Sequence, residues 1–266
     1  MVRTNASGLR RDLELLDVLA THGGTGGGVG VMRVAELVGR EKTQVSRALA
    51  SLAEEGLVER DPDTLGYRLG WRLYALAART SEARLVATAG PYLRRLVAQI
   101  HETVHLCVLR GGDVLTLLSE SPSHAFRGVG WEGISVAVPA TSAGRVLISD
   151  WEPDAVRDWF TPERPATAGA ARLGDTDALL EELARIRIRG YATIDEEFEV
   201  GVVGCSAPVR DFRGRIVAAL NIAAPKGRLG DKLDLAGRIT AKIADELTAR
   251  LSSPPKNGDG DPRPRS

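Results

Sequence analysis

Only two cysteines occur in 266 residues, too few for a disulfide framework. Cys107 and Cys205 each lie inside an apolar, strand-like run, which suits reduced, buried thiols. A redox sensor would need a cationic neighbour to lower the thiol pKa, and neither has an obvious one in sequence. No apolar run reaches the length of a membrane span, and Met1-Val2-Arg3-Thr4-Asn5 opens no secretory pattern. The expected location is therefore cytoplasmic, with no membrane partner. An excess of either charge is also missing, since 35 Lys and Arg balance 35 Asp and Glu. That excludes a coat for nucleic acid and confines any DNA contact to a local patch. The histidines His22, His101, His105 and His124 show no metal-ligand spacing, so no metal or cofactor is expected. His101 and His105 stand four apart, but Thr103-Val104 already reads as strand, which makes them a helix-end residue and a strand residue.

What is present is concentrated between Val31 and Leu69. Met32, Val34, Leu37 and Val38 predict a short amphipathic helix, with Ala35 small enough for close crossing. Gly39 ends it, and Lys42-Thr43-Gln44 begin a second helix whose apolar positions are Val45, Ala48, Leu49 and Leu52. This is the order of a helix-turn-helix. Arg40, Lys42, Thr43, Gln44, Ser46 and Arg47 fall near the start of the second helix, on or beside the face opposite the core, where a recognition helix meets base edges. Gln and Arg can hydrogen-bond adenine and guanine in bidentate fashion. Leu57-Val58-Glu59-Arg60, Asp61-Pro62-Asp63 and Tyr67-Arg68-Leu69 read as strand, turn and strand, a wing with Arg60 and Arg68 placed for phosphates. Glu36 and Glu41 dilute the cluster, so DNA affinity should be modest and salt dependent. A small helical subdomain would give a similar apolar pattern.

A first helix is expected from Leu9 to His22, with Leu13, Leu16 and Leu19 or Ala20 inward. Gly23-Gly24-Thr25-Gly26-Gly27-Gly28-Val29-Gly30 follows a helix and lacks a Gly-Lys-Ser/Thr ending, so it reads as a flexible linker and not a phosphate loop. A linker helix from Gly70 to about Leu85 aligns Trp71, Tyr74, Ala78, Ser81 and Leu85. Beyond Ala89 helices alternate with strands. Gly90-Pro91 starts a helix, Thr103–Leu109 and Val114–Leu118 form a hairpin, and Ser135–Val138 is a short strand. Helices follow at Ala143–Ser149 and Asp177–Arg189, strands at Tyr191–Ile194, Cys205–Asp211 and Ile216–Ala223, and a last helix at Leu233–Leu251. The fold class is α+β, an antiparallel sheet covered by helices. The boundaries are 1–70 for the DNA-binding domain, 71–88 for the linker helix, 89–252 for the second domain and 253–266 for a disordered tail.

Four ordered blocks resemble the IclR-type transcriptional regulators over nearly the whole chain. They are Lys42 to Leu49 with Gly56 to Asp61 and Tyr67 to Gly70; Glu102-Thr103-Val104-His105-Leu106; Val136 to Leu147; and Gly190-Tyr191-Ala192 through Asp195-Glu196-Glu197 to Gly201-Val202 and Ala207-Pro208-Val209. The resemblance implies a winged helix-turn-helix, a GAF-like effector domain that binds a small metabolite, and a homodimer or tetramer on double-stranded DNA, with repression relieved by ligand the commoner arrangement. Its pocket positions fall on Trp131, Val136, Ser142, Ala143, Ile194, Val202, Gly204, Asn221 and Ala223. Several depart from the family pattern. Pro139 stands where histidine is common, Ile194 where an acid often sits, Gly204 where cysteine is frequent, and Asn221 and Ala223 where serines are common. Ile194 and Trp131 make the site more apolar, leaving Asn221, Ser142 and helix-start amides as anchors for an organic acid with a hydrophobic body. Equally, Ile194 and Trp131 could be core residues that fill the cavity.

A symmetric dimer predicts an operator that is an inverted repeat. A metabolite-binding enzyme without a DNA role is the rival class. Asp195-Glu196-Glu197 has no histidine or lysine beside it in sequence, and Cys205 no base, so no enzyme activity is expected.

Overall fold

The computed structural model describes residues 4–23, 27–122, 131–160 and 176–253. His124 and the Gly24-Thr25-Gly26 segment lie outside the described residues, as does the tail from residue 254. The chain divides into two compact units, Met1–Arg84 and Leu85–Ser266.

The first unit contains helices α1 (Thr4–His22), α2 (Val31–Leu37) and α3 (Lys42–Glu54), strands β1 (Val58–Arg60) and β2 (Tyr67–Leu69), and helix α4 (Trp71–Ala77). Its core joins Leu15, Leu19, Val34, Val45, Leu49, Leu52, Val58 and Tyr67. The inner face of α1 thus rests on Leu15 and Leu19. Leu13, expected inside, is 49% exposed, and Leu16 is only partly buried. Met32 is likewise exposed, and α2 buries Val34 and Ala35 in its place. Gly39 adopts the left-handed φ of +61° that lets the chain turn between α2 and α3. The glycine-rich stretch is not a free linker throughout. Val29 exchanges two backbone hydrogen bonds with Tyr67, at 2.8 and 2.9 Å, and so adds a third edge to the wing.

A single linker helix is also corrected. α4 ends at Ala77, and α5 (Ser81–Ile100) then runs unbroken across the division between the units. Gly90-Pro91, expected to start a helix, lies inside α5. Ala89, Gly90, Leu93, Leu96 and Val97 are all buried along it, and this continuous apolar stripe holds the helix through a residue that donates no backbone hydrogen bond.

The second unit is a six-stranded antiparallel sheet in the order β5-β4-β3-β8-β7-β6. Its strands are β3 (Val104–Arg110), β4 (Asp113–Glu120), β5 (Ser135–Ala137), β6 (Ala192–Asp195), β7 (Val202–Arg210) and β8 (Ile216–Pro225). Gly111 and Gly112, both at positive φ, make the β3–β4 turn. Alternation along the central strands separates two cores. Val104, Leu106, Val108, Val203, Cys205, Ala207, Leu220 and Ile222 face α5 and α10 (Leu233–Ser252), which bring Leu93, Leu96, Ile243 and Leu247. The other face carries Cys107, Ala192 and Ala219 against α6 (Ser142–Leu147), α7 (Pro153–Trp159) and α8 (Thr176–Arg189). A short helix α9 (Lys226–Leu229) follows β8. Among the described residues no helix is long and apolar enough to cross a membrane.

Candidate functional site

In the first unit, α3 presents Lys42, Thr43, Gln44 and Arg47 as exposed side chains and Ser46 as half-buried, on the side away from Val45, Leu49 and Leu52. The other three expected DNA contacts already have partners. Arg40 donates to the carbonyl of Arg11 at 3.1 Å. Arg60 donates to the Leu65 carbonyl at 3.5 Å and stands 5.6 Å above the Tyr67 ring. Arg68 pairs with Glu59 across the wing at 3.1 Å. An exposed pair of this kind is worth about 0 to 1 kcal/mol, so a phosphate can displace Glu59 at little cost. Asp61 organises the wing turn, accepting from the amides of Asp63 and Thr64 at 3.0 and 2.8 Å. The Thr64 backbone bond holds its carboxyl below the usual range.

In the second unit a cavity of about 450 Å³ opens on the sheet face that carries Cys107. All nine sequence-derived pocket positions border it: Trp131, Val136, Ser142, Ala143, Ile194, Val202, Gly204, Asn221 and Ala223. Ile194 is 5% exposed and Trp131 38%, so both line the space without filling it. Trp131 meets His105 and Phe198 edge to face, with ring centroids 6.5 and 6.3 Å apart. The buried Ser142 and Ser206 and the half-buried Asn221 form a triangle. Ser142 Oγ lies 2.8 Å from Ser206 Oγ, and both hydroxyls donate to Asn221 Oδ1, at 3.3 and 2.9 Å. Of the helix-start amides expected to hold an anion, that of Gly144 is taken by Thr141 Oγ1 at 3.0 Å.

Sequence reading missed His105, Cys107, Thr103, Thr116, Phe198, Glu199 and Arg228, which also border the cavity. The period of two in Val104, Leu106 and Val108 was the available signal, because it turns His105 and Cys107 to the opposite face. Burial lowers the His105 imidazole from 6.5 to about 4, leaving it neutral near physiological pH. The Cys107 and Cys205 thiols are buried, free and pushed up to about 12 by desolvation, so neither is a ready nucleophile. Glu199 and Arg228 are the charged lining residues among those described, and Arg228 is held by Glu102 through two bonds of 2.7 and 2.6 Å. The buried Arg145 belongs to a separate pair with Glu197 and also donates to the Pro139 carbonyl at 3.0 Å. Among the described residues no group of His, Cys, Asp and Glu could hold a metal ion.

A winged helix-turn-helix unit and an α+β unit with an internal cavity, in one chain, define a DNA-binding transcriptional regulator. A sequence model described as "IclR helix-turn-helix domain" matches residues 8–62, and one described as "Bacterial transcriptional regulator IclR C-terminal" matches residues 77–248. The chain belongs to the IclR family. It is 30% identical over 242 residues to the HTH-type transcriptional regulator BhcR of Paracoccus denitrificans, covering 90% of this chain and 85% of that protein. It is 25% identical over 244 residues to the transcriptional repressor IclR of Escherichia coli, covering 90% and 88%. Among solved structures, an IclR homolog from Microbacterium hydrocarbonoxydans complexed with 4-hydroxybenzoate superposes with a TM-score of 0.76 at 24% identity, over 92% of this chain and 98% of that one. The Thermotoga maritima IclR gives 0.73 at 22% identity, over 94% and 100%.

Proposed function

We propose that this regulator is a cytoplasmic repressor that binds an inverted-repeat operator as a homodimer or tetramer, and that a small molecule seated in the cavity of the second unit sets its affinity for DNA. The observation that carries the effector reading is the cavity itself, about 450 Å³, mostly apolar, with a few convergent polar groups. Thr43, Gln44, Ser46 and Arg47 read base edges, while Arg40, Lys42, Arg60 and Arg68 contact phosphates. The repressor role rests on the likeness to a relative named as one.

A purely regulatory cavity is supported by the state of its reactive groups. His105 is tied to Ser119 at 2.9 Å, a hydroxyl that is not among the described residues lining the cavity. Ser142 is hydrogen-bonded to Ser206 and Asn221 with no base beside it. Among the described residues that line the cavity, no nucleophile is hydrogen-bonded to a base as hydrolysis requires.

The test is selection of genomic DNA fragments by the purified protein near physiological salt, with Arg47→Ala in parallel. A few enriched fragments sharing an inverted repeat and lost in the variant are expected. If Arg47 contacts a guanine edge, its removal should cost about 1–3 kcal/mol at one operator position. Folded protein that enriches nothing, with or without candidate effectors, would overturn the reading. For the cavity, Ala223→Phe fills the space with a side chain from the exposed Ala223 position on β8 and should abolish effector response while DNA binding persists.

A further inference from the structure

A row of polar side chains crosses the sheet face on which the cavity opens, and its two middle members, His105 and Asn221, line the cavity. The strand registers pair Ser119 of β4 with His105 of β3, His105 with Asn221 of β8, and Asn221 with Ser206 of β7. The row is hydrogen-bonded at both ends and open in the middle. At one end His105 Nδ1 meets Ser119 Oγ at 2.9 Å. At the other, Asn221 Oδ1 accepts from Ser206 and Ser142. His105 Nε2 and Asn221 Nδ2 make no hydrogen bond among the described residues, and both side chains border the cavity. Two neutral polar side chains on directly opposed residues therefore border the same space, each with an atom free of protein hydrogen bonds among the described residues.

We propose that His105 and Asn221, cross-strand neighbours on β3 and β8, are the specificity-determining anchor of the cavity and take an uncharged oxygen-bearing group, a carbonyl, amide or hydroxyl, in preference to a carboxylate. This rests on the effector reading above and deepens it. The charges around the cavity argue the same way. Arg228 is its cationic lining residue among those described, and its Nε and Nη2 are on the two carboxylate oxygens of Glu102. The Glu102 side chain is only 9% exposed. A ligand carboxylate at the remaining N–H groups of Arg228 would meet a guanidinium whose charge Glu102 already balances, and drawing Arg228 away would strip that nearly buried carboxylate of its counter-charge. With Arg228 matched by Glu102, the other charged residue of the described lining is the acidic Glu199, and the charge felt at His105 is also acidic, Glu132. A neutral headgroup meets neither penalty, and Asn221 Nδ2 needs an acceptor that an amide or carbonyl oxygen supplies. The aromatic edges of Trp131 and Phe198 and the side chain of Ile194 then face the apolar body.

The experiment is calorimetric titration of the full-length protein near neutral pH with isosteric acid and amide pairs: benzoate with benzamide, 4-hydroxybenzoate with 4-hydroxybenzamide, and 2-naphthoate with 2-naphthamide. Wild type is compared with His105→Phe and Asn221→Leu, each close in volume. In the second variant the Ser142–Ser206 contact at 2.8 Å can keep one of the two hydroxyl protons that Asn221 Oδ1 accepted. The expected result is that at least one amide binds, that its acid partner binds roughly tenfold more weakly or not at all, and that each variant loses roughly tenfold of the amide affinity. An acid that binds as tightly as its amide, or an amide whose affinity is unchanged in both variants, would overturn the proposal and leave the effector reading standing. Failure of every pair at millimolar concentration, with folded protein, would remove both.

Discussion

At the scale of single residues, the consequential one is His105, a histidine 5% exposed on a sheet face whose neighbours are largely apolar. The unfolded chain takes up a proton at this position near 6.5, the folded chain only near 4. Between those values the unfolded state binds more protons, so stability is complete above about pH 6.5 and falls as the pH drops toward 4. The full contribution is about 3 kcal/mol. His105→Phe should therefore flatten the difference in stability between neutral and mildly acidic solution relative to wild type, read by urea denaturation at a series of pH values. An equal acid loss in both proteins would assign that loss to the carboxylates instead. Asp61 and Asp234, both held below the usual carboxylate range, lose their contributions in the same direction as the pH falls.

At the scale of elements, α10 passes so close to the start of β6 that a side chain at Gly237 would meet the ring of Tyr191, the residue before that strand. Tyr191 cannot easily withdraw, because Arg189 stands over its ring at 4.7 Å and its hydroxyl donates to Asp234. Gly237→Ala is expected to destabilise the second unit by about 1–3 kcal/mol through overpacking. Peptide-resolved hydrogen exchange should show faster exchange in α10 and β7 and unchanged protection in α3. How far such elements could be read from sequence depended on whether local pattern or distant packing decided them. The wing and the β3–β4 hairpin were legible because Asp61-Pro62-Asp63 and Gly111-Gly112 announce turns. The inner face of α1 was not, since Leu13, Leu15, Leu16 and Leu19 all compete for it and the choice is made by α2 and α3. The passage of α5 through Pro91 was hidden for the same reason, since burial of Leu93 and Leu96 outweighs a missing hydrogen bond, whereas the break at Ala78–Thr80 has a local mark, the Thr80 hydroxyl that accepts from the Ala83 amide at 3.3 Å. The nine pocket positions followed from the resemblance. The period of two along β3 turns His105 to the face opposite Val104 and Leu106, but that Asn221 stands beside it required knowing that β3 pairs with β8.

At the scale of the whole molecule, zero net charge means that attraction to DNA is set by a few side chains and not by a global field. Removing one phosphate contact should then be visible. Arg68→Ala, which also releases Glu59 from its pair, is expected to weaken binding to all sequences alike and to reduce the slope of log affinity against log salt by about one for each copy on the operator. Arg47→Ala should instead act mainly at one base position. Comparing the two slopes in a salt series separates positioning from reading, and equal effects on specific and random DNA in both variants would deny α3 its reading role.

The central joint of the larger sheet is the pairing of β3 with β8, and every other strand of that sheet lies between them in the chain. His105 and Asn221 thus come together only after β4, β5, β6 and β7 have been traversed, the kind of distant closure that slows folding. A molecule seated between them can be held by the finished domain and by nothing earlier on the folding route. It should lengthen the lifetime of the native state while leaving the rate of its formation untouched. In stopped-flow experiments the unfolding limb alone would move, so occupancy of the cavity would act on this protein as a brake on its undoing.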